Sequence, residues 1–582
     1  MRQQSMRVLN LAAAALFAVA CTTGSEGKTG TAGTSGQGSA GTSGGAGTGS
    51  PAGFAGTTGG GGSGNAGTTG AAGTGSPTGI AGSTGNGGTT GAAGTTGAAG
   101  TTGAAGTTGA GGTGPVDTGQ SVLTRNKHET RDGFFIQPTL TKAMAAKMAP
   151  DANFKANFTG NMWASPLYIE NGPGGKGAFF AVTTNNNVYA LDETTGAVLW
   201  MKNIGTAPGQ TGAGCGNINP IGIISTPVID GATRTIYVAG AIGDANAIQR
   251  HEVHALDVET GNEKTGWPVN VSDLKAGNLA FPSKAQNQRS ALSLVNGTLY
   301  VAYGGHIGDC SNYHGWVIAI NTANPTQTGT WATGGQGEAI WAAGGMASDG
   351  KNIFAVTGNH TGQSPTTHQD SEEVVRLTGL AQVDRTTGIF FPESWRGMDG
   401  SDADFGAASP VLITLGANKY LAAPAKDGHL YILDPANLGG STPLTDFMIA
   451  NGGPMQVRTT PASYVSSAGV HLVMNANGAV CATGNGGIVS VLVSPGSPPS
   501  VKSAWCTGGG SASPVATSTD GKSDTIVWLA ANGGLKGVDG DTGAQIYSGG
   551  NCSGVRQWTS PIAVKGRIIV GGDGHLCSWS PQ

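Results

Sequence analysis

The chain has 582 residues, enough for a large core, yet only 11% are charged while 104 are Gly; two unlike regions are averaged in those figures. The formal charge is −4, and it becomes −6 (28 basic against 34 acidic residues) once Arg2 and Arg7 are set aside. No long basic run appears, which argues against nucleic acid as a partner.

Arg2 and Arg7 form a basic start, and Leu9 to Ala20 is an apolar run that ends Ala18-Val19-Ala20-Cys21. This is the layout of a bacterial export signal over residues 1–20, and the run is too short to span a membrane. A Cys directly after small residues resembles a lipobox, with Ala18 where Leu is favoured. The resemblance implies that Cys21 is the lipidated first residue of the mature chain; a cleaved secretory signal is the plainer alternative. Thr22 stands where an Asp would favour inner-membrane retention, so outer-membrane sorting is implied, facing either the periplasm or the surface. Residues 21–115 are Gly, Thr, Ala and Ser in near-repeats such as GAAGTTGAAGTTG, with Glu26 and Lys28 the only charges. Such a composition cannot offset its ordering entropy, so disorder is expected. Its mean span would be roughly 50–60 Å, the reach of a tether, although neutral low-complexity expansion gives the same composition. Gly is not strictly every third residue, which rules out collagen.

Residues 116–162 form an extension. Pro138 to Ala149 places Leu140, Met144, Ala145 and Met148 on one helical face behind a Pro, so a short helix packed on the domain's outside is expected. In NFKANFTG, from Asn153 to Gly160, Phe154, Ala156 and Phe158 alternate as in a strand.

Trp163 to Trp200 is the repeating unit. Its runs PLYI, AFFAV, NVYAL and AVLW are rich in strand-forming residues and separated by turn residues. Four antiparallel strands in about 40 residues make one propeller blade. The opener recurs at Ser165-Pro166, Thr226-Pro227, Ser290-Ala291, Ala343-Gly344, Ser409-Pro410, Thr460-Pro461, Ser513-Pro514 and Ser560-Pro561. A turn marker recurs as LDETTG from Leu191, LDVETG from Leu256, VDRTTG from Val383 and VDGDTG from Val538, expected between the third and fourth strands. An aromatic closes the outer strand at Trp200, Trp267, Trp331, Trp395, Trp505 and Tyr547. The expected fold of residues 163–582 is an all-β, eight-bladed β-propeller. Seven blades is the alternative, because blades four and six match least well. The last blade stops at Gln582 without an outer strand, and Phe154 to Phe158 is expected to supply it and close the ring.

Blades of the form SP, then VYV, then DGxLYALDxxTGxxLW resemble the PQQ-like (quinoprotein-type) repeat. NNVYALDETTGAVLW from Asn186 and KDGHLYILD from Lys426 carry the resemblance, which spans nearly all of Trp163 to Gln582. It is specific for the fold and weak for activity. It implies, for a catalytic member, PQQ and calcium and the oxidation of an alcohol or sugar. Alcohol-oxidising relatives carry adjacent cysteines over the quinone, an Asp base, and Glu and Asn on calcium. This chain has no adjacent cysteines. Asp402 or Asp404 is the candidate base and Asn219 the candidate ligand.

The segments entering the innermost strands share one face with the loops joining strands two and three. They bring Asn219, Arg289, Trp341, Arg458, Arg556 and Trp558 to the channel mouth as candidate ligand-binding residues. Neighbouring charges could instead pair and stitch the ring. The insertion GGHIGDCSNYHGW, from Gly304, holds His306, Asp309 and His314, a set suited to a metal or to acid–base work; the bland alternative is a loop pinned by a disulfide. Six cysteines besides Cys21 form an even set in an exported domain. Cys215–Cys310 is the first-choice bridge because both lie on the loop face, and Cys481–Cys506 and Cys552–Cys577 follow by proximity. No CxxC, GxSxG, HExxH or GxxxxGK pattern occurs, and no metal site is expected. His429 and His575 share a repeat position in DGHL and read as structural. Three functions follow. The first is a lipid-anchored, monomeric binding or scaffold propeller taking a protein, peptide or glycan. The second is the PQQ- and calcium-dependent dehydrogenase. The third is a hydrolase or lyase using His306, Asp309 and His314.

Overall fold

The computed structural model describes residues 119–451 and 457–582. The export signal, Cys21 and the tether expected over residues 21–115 lie outside the described residues. Eight antiparallel sheets follow one another in sequence, over residues 167–203, 228–270, 293–332, 347–390, 411–448, 462–507, 515–549 and 562–581. They are the eight blades of the expected propeller, and the seven-blade alternative falls away. Each of the eight openers stands directly before or within a few residues of an innermost strand. Middle strands such as Ala178–Val182 are buried along their whole length because neighbouring blades cover both faces. Val198–Asn203, at the outer edge of blade one, is only partly covered.

The turn marker works through one side chain. Asp192 accepts from the backbone N–H groups of Thr194 (3.0 Å) and Thr195 (2.8 Å), and Gly196 supplies a positive φ of 76°. Asp257 and Asp539 repeat this. In blades two and seven the Gly receives a tryptophan from the preceding blade. Trp200 Nε1 donates to Val258 O at 3.0 Å, and a Cβ on Gly261 would meet the Trp200 ring at 2.7 Å. Trp505 docks identically on Gly540 and Gly543. Two expected markers are misplaced in blade four. Its third-to-fourth turn lies between Thr378 and Gln382. VDRTTG bulges out of the outer strand, between Gln382–Val383 and Ile389–Phe390, where Arg376 clasps Asp384 at 2.7 Å. Trp395 begins a helix, Trp395–Ser401, rather than closing a strand. Trp267 stands just ahead of its outer strand, Val269–Asn270.

The ring closes from both ends of the domain, in two pieces. Met148–Pro150 pairs with Pro581 to Trp579, and Ala156–Asn157 pairs with Leu576 and His575. The helix expected over Pro138 to Ala149 is cut to Lys142–Ala145, capped by Thr141, because Met148 onward joins that ladder. Leu140, Ala145 and Met148 are buried as expected.

The segment from Ser121 to Gln137 does something the sequence did not reveal: it plugs the channel. Val122 and Tyr168 exchange both backbone hydrogen bonds (2.7 and 3.0 Å). The carbonyls of Leu123, Glu129, Thr130, Asp132 and Gly133 accept from Ile229, Ser348, Leu412, Ser463 and Ala516, on the innermost strands of blades two, four, five, six and seven. Phe134–Ile136 adds a parallel strand to blade seven. Gln137 Oε1 accepts from Gly566 of blade eight, and Arg131, fully buried, donates to Leu292 O of blade three at 3.0 Å. The innermost strand of a blade has no sheet neighbour on the axis side, so its N–H groups need such partners.

Candidate ligand site at the channel mouth

Small openers form the ring around the axis. Ser165 N–H donates to Thr226 Oγ1 at 2.9 Å, and Ser560 N–H to Ser165 Oγ at 2.8 Å. A Cβ on Gly344 would sit 1.8 Å from Thr460 Oγ1 and 2.5 Å from Ser409 Oγ, which is why that opener carries Gly. Arg125, from the plug, reaches this ring from behind. Its guanidinium donates to Trp558 O at 2.7 Å and, at 3.4 Å, to Thr226 Oγ1, Ala343 O and Ser513 Oγ.

Residues just ahead of the openers build the mouth. Trp163, Trp341, Arg458 and Trp558 each stand two positions before an opener, and Arg289 stands one before. The indoles of Trp163 and Trp558 lie nearly parallel, 6.4 Å apart, and Trp341 meets Trp558 edge-on. The Arg289 guanidinium lies 4.7 Å from the Trp163 ring centre and 4.9 Å from that of Trp558. Arg556 packs on Trp163 at 4.7 Å and is held by Asp573. Arg289 is 6% exposed and, among the described residues, has no such carboxylate and no hydrogen-bond partner at Nη1 or Nη2. Burial, then the charge of Arg556, pushes it down to about 9; burial, Arg131 and Arg289 do the same to Arg125. A buried cation without an anion is costly, and the Trp558 indole N–H beside it is also unpartnered.

An acidic half adjoins the cationic one through Trp341, whose Nε1 donates to Asp404 Oδ2 at 2.9 Å. Asp404 is buried. Its Oδ1 lacks a hydrogen bond, and Lys426 Nζ lies 3.7 Å away while donating to Asp402 at 2.7 Å. Burial raises Asp404 to about 6 against the pull of Lys426. Glu372 is fully buried beside it; Oε2 accepts from Phe405 N–H, Oε1 has no partner, and burial with the Asp404 charge raises it well above the usual range. The mouth thus offers guanidinium groups and flat aromatic surfaces for an anion, and protonatable oxygens for a proton or a cation.

Arg289, Trp341, Arg556 and Trp558, expected at the mouth, come together there, with Asp404. Trp163, Arg125 and Lys426 join them without having been expected. Glu372 joins them from the long blade-four loop that starts at Gly358, whose sequence reads as a solvated loop with a metal or lid role as the alternative. Trp163 was legible, since it shares the register of Trp341 and Trp558. Arg458 holds that register in blade six, next to residues 452–456, which lie outside the described residues. Asp402 is an exposed helix C-cap paired with Lys426. Asn219 is exposed and lines a separate surface cavity of about 340 Å³ beside Cys215. The His306, Asp309 and His314 set does not converge. His306 is buried beneath Gly216 and pushed down to about 4. Asp309 accepts from Tyr313 Oη at 2.7 Å, and His314 Nδ1 faces Thr333 O at 3.0 Å. The three side chains go to separate surroundings, so the shared metal or acid–base site read from their closeness in sequence is corrected to a pinned loop. The pin is Cys215–Cys310, and Cys481–Cys506 and Cys552–Cys577 also pair as expected.

No family model and no curated protein sequence matches the chain. Among solved structures, it is similar to a quinohemoprotein alcohol dehydrogenase from Comamonas testosteroni (14% identity, TM-score 0.55, 79% of this chain and 80% of that one). The quinohemoprotein alcohol dehydrogenase ADHIIG from Pseudomonas putida HK5 (14%, 0.54, 79% and 80%) and a europium-containing methanol dehydrogenase (14%, 0.52, 79% and 91%) are alike to the same degree. At such identities the likeness shows the fold alone, an eight-bladed β-propeller.

Proposed function

We propose that the channel mouth binds a flat, multiply carboxylated quinone of the PQQ class together with a divalent cation such as calcium, and that the protein is an exported, lipid-anchored dehydrogenase of alcohols or sugars. The observation that carries this reading is Arg289, a buried guanidinium with two unpartnered nitrogens on two indole faces. The donor set fits the group. Arg289 would pair with a carboxylate, with Arg125 adding positive potential from behind. Trp163, Trp341 and Trp558 supply the aromatic surfaces. Glu372 Oε1 is the oxygen open to a hard cation, which leaves Asp404 Oδ1 for the proton. When bound, the quinone supplies a two-electron acceptor. Asp404, raised to about 6, takes the proton from the substrate hydroxyl at Oδ1. Trp341 fixes that carboxylate through Oδ2, and the plug closes the channel behind the site.

The test is dye-coupled oxidation of a panel of alcohols and sugars by protein reconstituted with PQQ and calcium. Turnover should appear and should vanish in Asp404→Asn. A second reading is a binding or scaffold propeller for a protein, peptide or glycan. It is favoured by Arg289 itself covering the two indole faces, and by the lack of adjacent cysteines. That reading expects no turnover with any substrate.

A further inference from the structure

We propose that Cys552, His575 and Cys577 form a redox-gated site for a thiophilic divalent cation of the zinc class, closed while Cys552–Cys577 is a disulfide and opened by an external dithiol. Among the described residues these three are the one group of Cys, His, Asp or Glu whose ligand atoms lie mutually close, within 4.8 Å. His575 Nε2 is 3.8 Å from Cys552 Sγ. The other two disulfides have no such third ligand among the described residues. The repeat makes the contrast sharper. His429, at the same position of the same DGHL sequence, is taken up by Asp446 at 2.6 Å. His575 has no such carboxylate and turns to sulfur instead. Gly572 allows this, because a Cβ there would come within 2.9 Å of His575 Nε2.

The sheet holds two of the ligands in place, and core packing, not a strand, holds the third. His575 and Cys577 lie on one strand, paired with Gly572 and Val570 on one side, while Asn157 pairs with His575 on the other. Cys552 is packed in the core at 1% exposure. Cutting the S–S bond therefore leaves three donors facing one another. Cys577 is the more accessible sulfur. A dithiol's thiolate attacks Cys577 Sγ, forming a mixed disulfide and releasing Cys552 as a thiolate beside His575. The second thiol of the reductant then displaces Cys577, and the reductant leaves as its cyclic disulfide, having given up two electrons. Metal binding expels whatever protons remain on the thiols. Two thiolates and one imidazole leave a fourth, open position on a tetrahedral cation.

The experiment is anaerobic titration of the dithiol-reduced full chain with cobalt(II), followed by zinc competition. The expected result is one equivalent of cobalt bound with a thiolate-to-metal charge-transfer band, displaced by zinc. The band should be lost in Cys577→Ser, weakened at least tenfold in affinity in His575→Ala, and kept in Cys215→Ser/Cys310→Ser. Circular dichroism should show the propeller intact in Cys552→Ser/Cys577→Ser. No band, a band indifferent to His575, or collapse of the fold on losing this disulfide would each overturn the proposal.

Discussion

Replacing Arg289 with Met should make the protein more stable and unable to hold its anion. The side chain is 6% exposed, with two terminal nitrogens that find no partner. Leaving a buried donor unpaired costs about 1–3 kcal/mol, and more for a charged group. Two indole faces return about 0.5–2 kcal/mol each. For two nitrogens and two faces the central values, about 4 and about 2.5 kcal/mol, leave about 1.5 kcal/mol, and more for a charge. This balance of about 1–3 kcal/mol against the folded state is removed by an apolar side chain of similar length. The sign agrees with the titration. A guanidinium pushed down from its ordinary range to about 9 is protonated in both folded and unfolded chains at neutral pH, so the full penalty is present there. That penalty fades only as pH rises through about 9, where the folded state releases its proton first. In a domain this large, about 1 °C of melting temperature accompanies each kcal/mol. Scanning fluorimetry of Arg289→Met should therefore show a rise of about 1–3 °C, while quenching by an anionic quinone is lost. A fall in melting temperature with binding intact would refute the reasoning and make Arg289 a structural residue.

Four further outcomes follow from named contacts. Arg131→Met removes the donor to Met346 O, Thr124 Oγ1, Arg125 O, Leu292 O and Ser293 Oγ, of which Met346 O and Ser293 Oγ keep each other; a loss of about 3–5 kcal/mol by urea unfolding is expected. Deleting Asn153 to Gly160 removes the pairing of Ala156–Asn157 with the last blade and bares Phe179 and the edge strand; the melting temperature should fall by several degrees. Asp404 is raised from 3.8 to about 6, so its contribution favours the folded state below about 4 and is lost as pH rises to about 6, whereas the base form needed for turnover accumulates above about 6. Trp341→Phe removes a donor to the ionised form, so the midpoint of the pH–rate profile should move up by about one unit.

What could be read from the chain was what is local. An opener of Ser or Thr before Pro, or an Asp-x-x-Thr-Gly turn, writes its own geometry within a few residues, and eight openers located eight blades. The same turn chemistry misled in blade four, where Asp384 pins a bulge instead of a hairpin. The plug left no pattern, because Leu123, Glu129, Thr130, Asp132 and Gly133 bond through backbone carbonyls that any residue carries. Part of the mouth was legible for a positional reason: residues one or two before an opener must face the axis, which brings Arg289, Trp341 and Trp558 together. Arg125 arrives from a segment more than a hundred residues away from most of its partners, and no spacing rule reaches it. His306, Asp309 and His314 show the reverse failure, since nearness in sequence did not bring their side chains to one point.

The central claim, that the channel mouth is an anion site for a quinone, is tested most directly by titrating the full chain with PQQ in the presence and absence of calcium while following tryptophan fluorescence. Trp163, Trp341 and Trp558 line the mouth and should report occupancy. The account predicts saturable, calcium-dependent quenching in the micromolar range, about the affinity of one good charged contact set, and its loss in Arg289→Met. Absence of quenching at any concentration short of non-specific absorption, or equal quenching in Arg289→Met, would contradict it.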